Sequence, residues 1–126
     1  MKNISKNLQM FNQVYKETNV IYHDYAAKNG ISDTAFWIMY SVYYYGEGIT
    51  QKNICEEWFY SAQTVNSSLK TMEKNGLIIL EPSKGNKKEK QIHFTKEGQL
   101  LAEKIIKPVI EAEKQSFEQL DNREIE

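Results

Sequence analysis

The stretch TQKNICEEWFYSAQTVNSSLKTMEKNGLIILEPSKGNKKEKQIHFT, running from Thr50 to Thr95, decides the fold. Thr50 is a good N-cap, and in the run from Gln51 to Trp58 the residues Ile54, Cys55 and Trp58 fall on one face at helical spacing. That run is too short to persist as an isolated helix. After Phe59 and Tyr60, Ser61 offers a second N-cap, and the segment from Ala62 to Asn75 carries Val65, Leu69 and Met72 as its apolar stripe. Gly76 closes it, as a glycine just past a helix C-terminus does. Burying the stripe turns Ser61, Gln63, Thr64, Asn66, Ser67, Lys70 and Lys74 outward. These side chains have the length and hydrogen-bonding type to reach phosphates and base edges, but a merely solvated helix has the same composition.

The next segment discriminates between those readings. The run from Leu77 to Glu81 is a strand stopped by Pro82, and the run from Gln91 to Thr95 alternates polar and apolar residues as a half-buried strand does. Between them lie Ser83, Lys84, Gly85, Asn86, Lys87, Lys88, Glu89 and Lys90, four lysines against one glutamate among turn-forming residues. The pair is a long-tipped hairpin. A charged turn alone is more often a solubilising feature. Behind two short helices, the second with a polar face, it completes the order of a winged helix-turn-helix, which sets a polar helix and a cationic loop at groove-to-groove spacing. The expected partner is double-stranded DNA, with Lys84, Asn86, Lys87, Lys88 and Lys90 as wing contacts.

Charge is segregated in the same way. The formal net charge of the chain is -1, yet residues 61–96 hold seven lysines and three glutamates, a local balance of +4 that leaves -5 for the remainder. An otherwise acidic protein then meets nucleic acid through one surface only, with steep salt dependence.

At this level the residues resemble the MarR-type winged helix-turn-helix transcriptional regulators. The likeness is carried by the run from Ile49 to Trp58, the run from Ser61 to Ile78, and Ile92, Phe94, Thr95 and Gly98. It implies a recognition helix over Ala62 to Asn75, a wing, and a homodimer built from flanking helices, acting as a repressor. Three departures stand out. The family's wing usually carries Asp-x-Arg, whereas the matching positions are Asn86, Lys87 and Lys88, and lysine lacks the planar guanidinium fork. A recognition-helix position often held by arginine is Ser67, which leaves base reading to Gln63, Thr64 and Asn66; the two amides suit adenine edges and predict an A·T-rich, pseudo-palindromic operator. Finally, residues 121–126 stand where the family begins another helix of its dimer interface, so that helix is expected to be missing.

The fold class expected is mainly α with a small β-hairpin, in one domain: residues 1–30 a dimerisation helix, 31–95 the winged helix-turn-helix, 96–126 a C-terminal dimerisation helix. A chain of 126 residues, 40% apolar and 26% charged, has one domain's worth of core. Its longest apolar-rich run, Phe36 to Tyr45, is far short of the ~20 residues that cross a bilayer, and the first residues are not followed by an apolar signal core, so a cytoplasmic address is expected. The lone cysteine, Cys55, forms no internal disulfide framework. It is expected on the buried face beside Ile54, with Glu56 and Glu57 opposing thiolate formation, although some regulators of this kind sense oxidants through a thiolate.

The segment from Asn3 to Lys28 is a long amphipathic helix with Ile4, Leu8, Phe11, Tyr15, Tyr22 and Tyr25 near heptad spacing and a stop at Asn29 and Gly30. Ser32 caps a helix over Asp33 to Tyr45, ended by Gly46 and Gly48. A third long helix follows Thr95 to about Leu120, kinked at Pro108. Long helices at both ends of the chain imply a C2 partner, which would set two recognition helices one DNA turn, ~34 Å, apart.

Aromatic residues concentrate between Tyr15 and Tyr45, and the chain holds eight tyrosines. Two readings stay open: a pocket for a small aromatic effector lined by Tyr22, His23, Phe36, Trp37 and Tyr40, or aromatic packing in the core or at a dimer contact. The two histidines, His23 and His93, fit no metal spacing, and there is no phosphate loop or nucleophile motif, so no catalytic residue, metal or cofactor is expected. The competing functional reading is a winged-helix module that binds another protein without operator recognition, favoured by the single arginine, Arg123.

Overall fold

A computed structural model describes the backbone of residues 2–85 and 88–125, and their side chains except at 2–5, 7, 11, 15 and 120–125. The chain divides into two units, residues 1–33 and 34–126.

The first unit is helix α1 (Lys2–Lys28) and its exit. Gly30 adopts φ +75°, which lets Ile31 N–H reach back to Ala26 O at 3.0 Å and Gly30 N–H to Ala27 O at 3.0 Å. Lys28 sits in the last turn, where a cation offsets the helix dipole. Of the expected heptad residues, Leu8 is exposed and Tyr22 and Tyr25 are half-buried, while the side chains of Ile4, Phe11 and Tyr15 lie outside the described residues. Leu8, Met10, Val14, Val20 and Ile21 are all more than half exposed, an apolar surface of the kind that marks an interaction site.

The second unit takes up helix α2 (Asp33–Tyr45) and continues through α3 (Gln51–Trp58), α4 (Ala62–Lys74), strands β1 (Ile78–Pro82) and β2 (Lys90–Phe94), α5 (Lys96–Ile105) and α6 (Lys107–Ile125). Its core takes Phe36, Ile38, Met39 and Val42 from α2, Ile54 from α3, Val65, Leu69 and Met72 from α4, and Ile78 and Ile92 from the hairpin. Each such side chain contributes about 1.5–3 kcal/mol when fully buried. Ser41, a polar side chain deep among them, accepts the Trp58 Nε1 hydrogen at 2.6 Å and donates to Trp37 O at 2.8 Å, pinning α3 to α2.

The hairpin is antiparallel with Ile78 opposite Phe94, Leu80 opposite Ile92 and Pro82 opposite Lys90. Both strands lie one residue off their expected positions. Leu77 belongs to the exit of α4, its N–H bonded to Met72 O at 3.0 Å, so β1 starts at Ile78 and takes in Pro82. Thr95 is the N-cap of α5, so β2 ends at Phe94. Pro82 is tolerated because its strand is at the sheet edge. On its other side β2 receives the turn after α2: Gly48 N–H bonds Ile92 O, Ile92 N–H bonds Ile49 O at 2.8 Å, and Thr50 bridges Gln91.

The long third helix is interrupted at Ile106, which keeps right-handed helical angles and an N–H bond to Ala102 O at 2.8 Å. Pro108 explains the break, since it offers no N–H to the carbonyl four residues back. The helix then runs past Leu120, its expected end, to Ile125.

Candidate nucleic-acid interface

Helices α3 and α4 are each defined by a cap. Thr50 accepts Asn53 N–H while the Asn53 side chain accepts Thr50 N–H, a reciprocal box that starts α3. Ser61 Oγ accepts Thr64 N–H at 3.1 Å and donates to Thr64 Oγ1 at 2.8 Å, which starts α4. The turn between them passes through Phe59 at φ 58° and ψ 32°, left-handed backbone where glycine is usual, with its ring 93% exposed. Gln51 Nε2 donates to Ala62 O at 3.0 Å and ties the two helix starts together.

With Val65, Leu69 and Met72 buried, Ser61, Gln63, Thr64, Asn66, Ser67 and Lys70 are all exposed on α4. Ser61 and Thr64 bond one another at the cap, and Gln63, Asn66 and Lys70 are the longer side chains of this face. On the hairpin, Lys84, Lys88 and Lys90 are exposed; Asn86 and Lys87 lie outside the described residues. A groove of about 300 Å³ runs between α3, the start of α4 and the wing, lined by Gln51, Lys52, Cys55 and Ala62 on one side and Lys88, Glu89 and Lys90 on the other. Ala62 and the wing lysines thus border one concavity with three ammonium groups and one carboxylate. Lys52 and Gln51 are the residues sequence reasoning missed. Nothing local in the sequence marks them, because the wing that meets them lies more than thirty residues away in the chain.

Cys55 corrects an expectation. It is half-buried on this groove rather than sealed beside Ile54. Its thiol is held above the ordinary cysteine range, by partial burial first and the Glu56 charge second. A separate open cleft of about 510 Å³ is lined by Tyr45, Glu47, Glu56 and Glu57 among others. Its carboxylates repel a polyanion, so this cleft and the groove beside the wing differ in sign.

Of the aromatic residues, Phe36 is fully buried, Trp37 stacks on Trp58 at 4.4 Å between ring centroids, and Tyr40 meets both Trp37 and Trp58 edge to face. Tyr40 OH donates to Glu113 Oε1 at 2.7 Å, linking α2 to α6. These three are brought together as packing within the second unit. Tyr22 and His23 belong to the first unit, where His23 Nδ1 meets both oxygens of Asp33 at 2.9 Å. That hydrogen bond, followed by the Asp33 charge, raises the His23 pKa above the usual imidazole value. Among the described residues no set of three His, Cys, Asp or Glu side chains could hold a metal ion, and no helix is long and apolar enough to cross a membrane.

The fold is shared with solved proteins. MepR from S. aureus in its DNA-binding conformation superposes with a TM-score of 0.79 at 21% identity, over 94% of this chain and 87% of that one. A MarR family regulator from Neisseria meningitidis gives 0.73 at 20% identity, over 90% and 79%. Reduced AbfR bound to DNA gives 0.67 at 19% identity, over 97% and 94%. No curated protein sequence matches at a significant level. The MarR family model matches residues 29–89, the span from the end of α1 to the wing. Two capped helices, an edge-strand hairpin and that sequence match agree on a winged helix-turn-helix similar to that of the MarR family.

Proposed function

We propose that the chain is a DNA-binding transcription regulator of the cytoplasm, a homodimeric repressor that reads a pseudo-palindromic operator. The observation that carries this reading is the groove in which Ala62 at the start of α4 faces wing residues Lys88 and Lys90, which supports α4 and the cationic loop meeting one duplex together. Gln63, Thr64 and Asn66 are the base-reading side chains, and Ser61, Ser67, Lys70, Lys84, Asn86, Lys87, Lys88 and Lys90 the positioning contacts. The DNA held by AbfR and MepR structures of the same fold supports duplex as the ligand. The exposed apolar residues of α1 support self-association. A small aromatic effector is part of the proposal, supported by the aromatic concentration between Phe36 and Tyr45.

Selection of bound sequences from a random duplex pool, followed by gel-shift titration at two salt concentrations, tests it. The expected result is an enriched inverted repeat, A·T-rich in its half-sites, with retardation weakening steeply as salt rises. Absence of retardation at low salt would overturn the reading in favour of a protein-binding winged helix.

A further inference from the structure

His93 lies at the root of the hairpin with its ring between carboxylates from two different elements. Nδ1 is 2.7 Å from Glu47 Oε2 in the turn after α2, and the other oxygen of Glu47 accepts Phe94 N–H at 3.3 Å. Nε2 is 3.5 Å from Glu81 Oε2 on β1 but outside hydrogen-bond geometry, and this nitrogen is buried with no hydrogen-bond partner. Helices α3 and α5 also pack on β2, and neither brings another carboxylate within 4.0 Å of the ring nitrogens among the described residues.

A neutral imidazole has one N–H to give. An ionised Glu47 only accepts, so that hydrogen belongs on Nδ1, and Nε2 is left pointing a lone pair at the Glu81 oxygen. An acceptor then faces an acceptor where water cannot intervene. The imidazolium alone donates to both sides. Once it forms, β1, β2 and the turn after α2 are tied through one ring; without it, β1 keeps its ladder with β2 but has no side-chain tie through the ring to the turn after α2.

We propose that His93 is a positioning residue that fastens the wing for duplex binding through a Glu47–His93–Glu81 bridge completed by protonation, so that affinity for DNA rises as the solution is acidified. The proposal rests on the reading of α4 and the hairpin as the DNA interface. Glu47 and Glu81 are both more than half exposed, so the bridge is partly screened and the effect is modest.

The test is fluorescence anisotropy with a labelled duplex and the full chain at constant ionic strength, at about pH 7.5 and about pH 6.0, the range in which imidazoles titrate. Wild type is expected to bind about three- to fivefold tighter at the lower pH, the factor equivalent to a partly screened ion pair. His93→Gln is expected to bind equally at both, Glu81→Gln to lose more than half of the gain, and His23→Gln to keep it. A full pH response in His93→Gln, or in Glu81→Gln, overturns the proposal. A second readout needs no DNA: in the free wild-type protein the His93 ring and the amides of Ile79, Glu81 and Gln91 are followed by NMR against pH. They are expected to move together, and Glu81→Gln to uncouple the amides of Ile79 and Gln91 from the ring. A His93 titration that no hairpin amide follows overturns the proposal. If the amides follow and no duplex binds at either pH, the interface reading fails while the bridge stands.

Discussion

Helix α4 is positioned by residues of its own: Ser61 starts it, Val65, Leu69 and Met72 bury one side, and Gly76 lets the chain leave. The hairpin is positioned by residues from elsewhere. Ile92 shares hydrogen bonds with Gly48 and Ile49, Glu47 holds His93 and Phe94 N–H, and the Thr95 hydroxyl bonds Gly76 O. The difference teaches which half of a proposed two-part interface a sequence displays. A self-anchored helix shows as periodicity, whereas a hairpin fastened by partners forty residues away shows only as turn chemistry and charge.

The sharpest way to break this contrast is to remove the anchor of α4. Leu69 is 1% exposed, and Leu69→Ala is expected to cost about 3 kcal/mol in urea unfolding. A cost near zero would mean that α4 is held by something other than its stripe. Next in size is Gly98→Ala. A Cβ at Gly98 would run into the Leu77 carbonyl oxygen and also meet the Phe94 ring, so α5 cannot keep its approach to the hairpin. Roughly 2 kcal/mol of destabilisation is expected from forced overpacking against backbone. A tolerated alanine would show that the hairpin root has slack and does not depend on α5.

The sequence made α2, α3 and α4 legible nearly to the residue, because caps at Thr50 and Ser61 and a glycine at 76 bracket runs of helical periodicity. It misplaced both strands by one residue, since Leu77 and Thr95 serve neighbouring helices and a propensity argument cannot see that claim on them. It also set Cys55 on the wrong side. The residue lies on the flank of α3 that the wing comes up against, and the distance in sequence hides this. The same separation hid Glu47, Gln51 and Lys52, whereas the outward face of α4 followed from its buried stripe.

Ser61→Ala probes the smaller energies of α4. It removes the acceptor for Thr64 N–H at the start of α4, and is expected to cost about 1 kcal/mol. Hydrogen exchange should localise the loss to the first turn of α4 and leave the hairpin amides unchanged. Equal loosening of both would show that the two parts form one cooperative unit, which sharpens the comparison into a statement about cooperativity.

The smallest expected effect has the opposite sign. Phe59 holds left-handed backbone, a conformation that costs a residue with a Cβ about 1–2 kcal/mol, and its ring lies 93% exposed, so little burial offsets that cost. Glycine adopts the same angles without strain but loses more chain entropy on folding. Phe59→Gly should therefore stabilise the fold by roughly 0.5–1 kcal/mol, read as a raised urea midpoint with unchanged slope. If Phe59→Gly is more stable and binds duplex with unaltered affinity, the turn is strained without consequence for DNA; if it is more stable and binds more weakly, the ring belongs to the interface alongside α4.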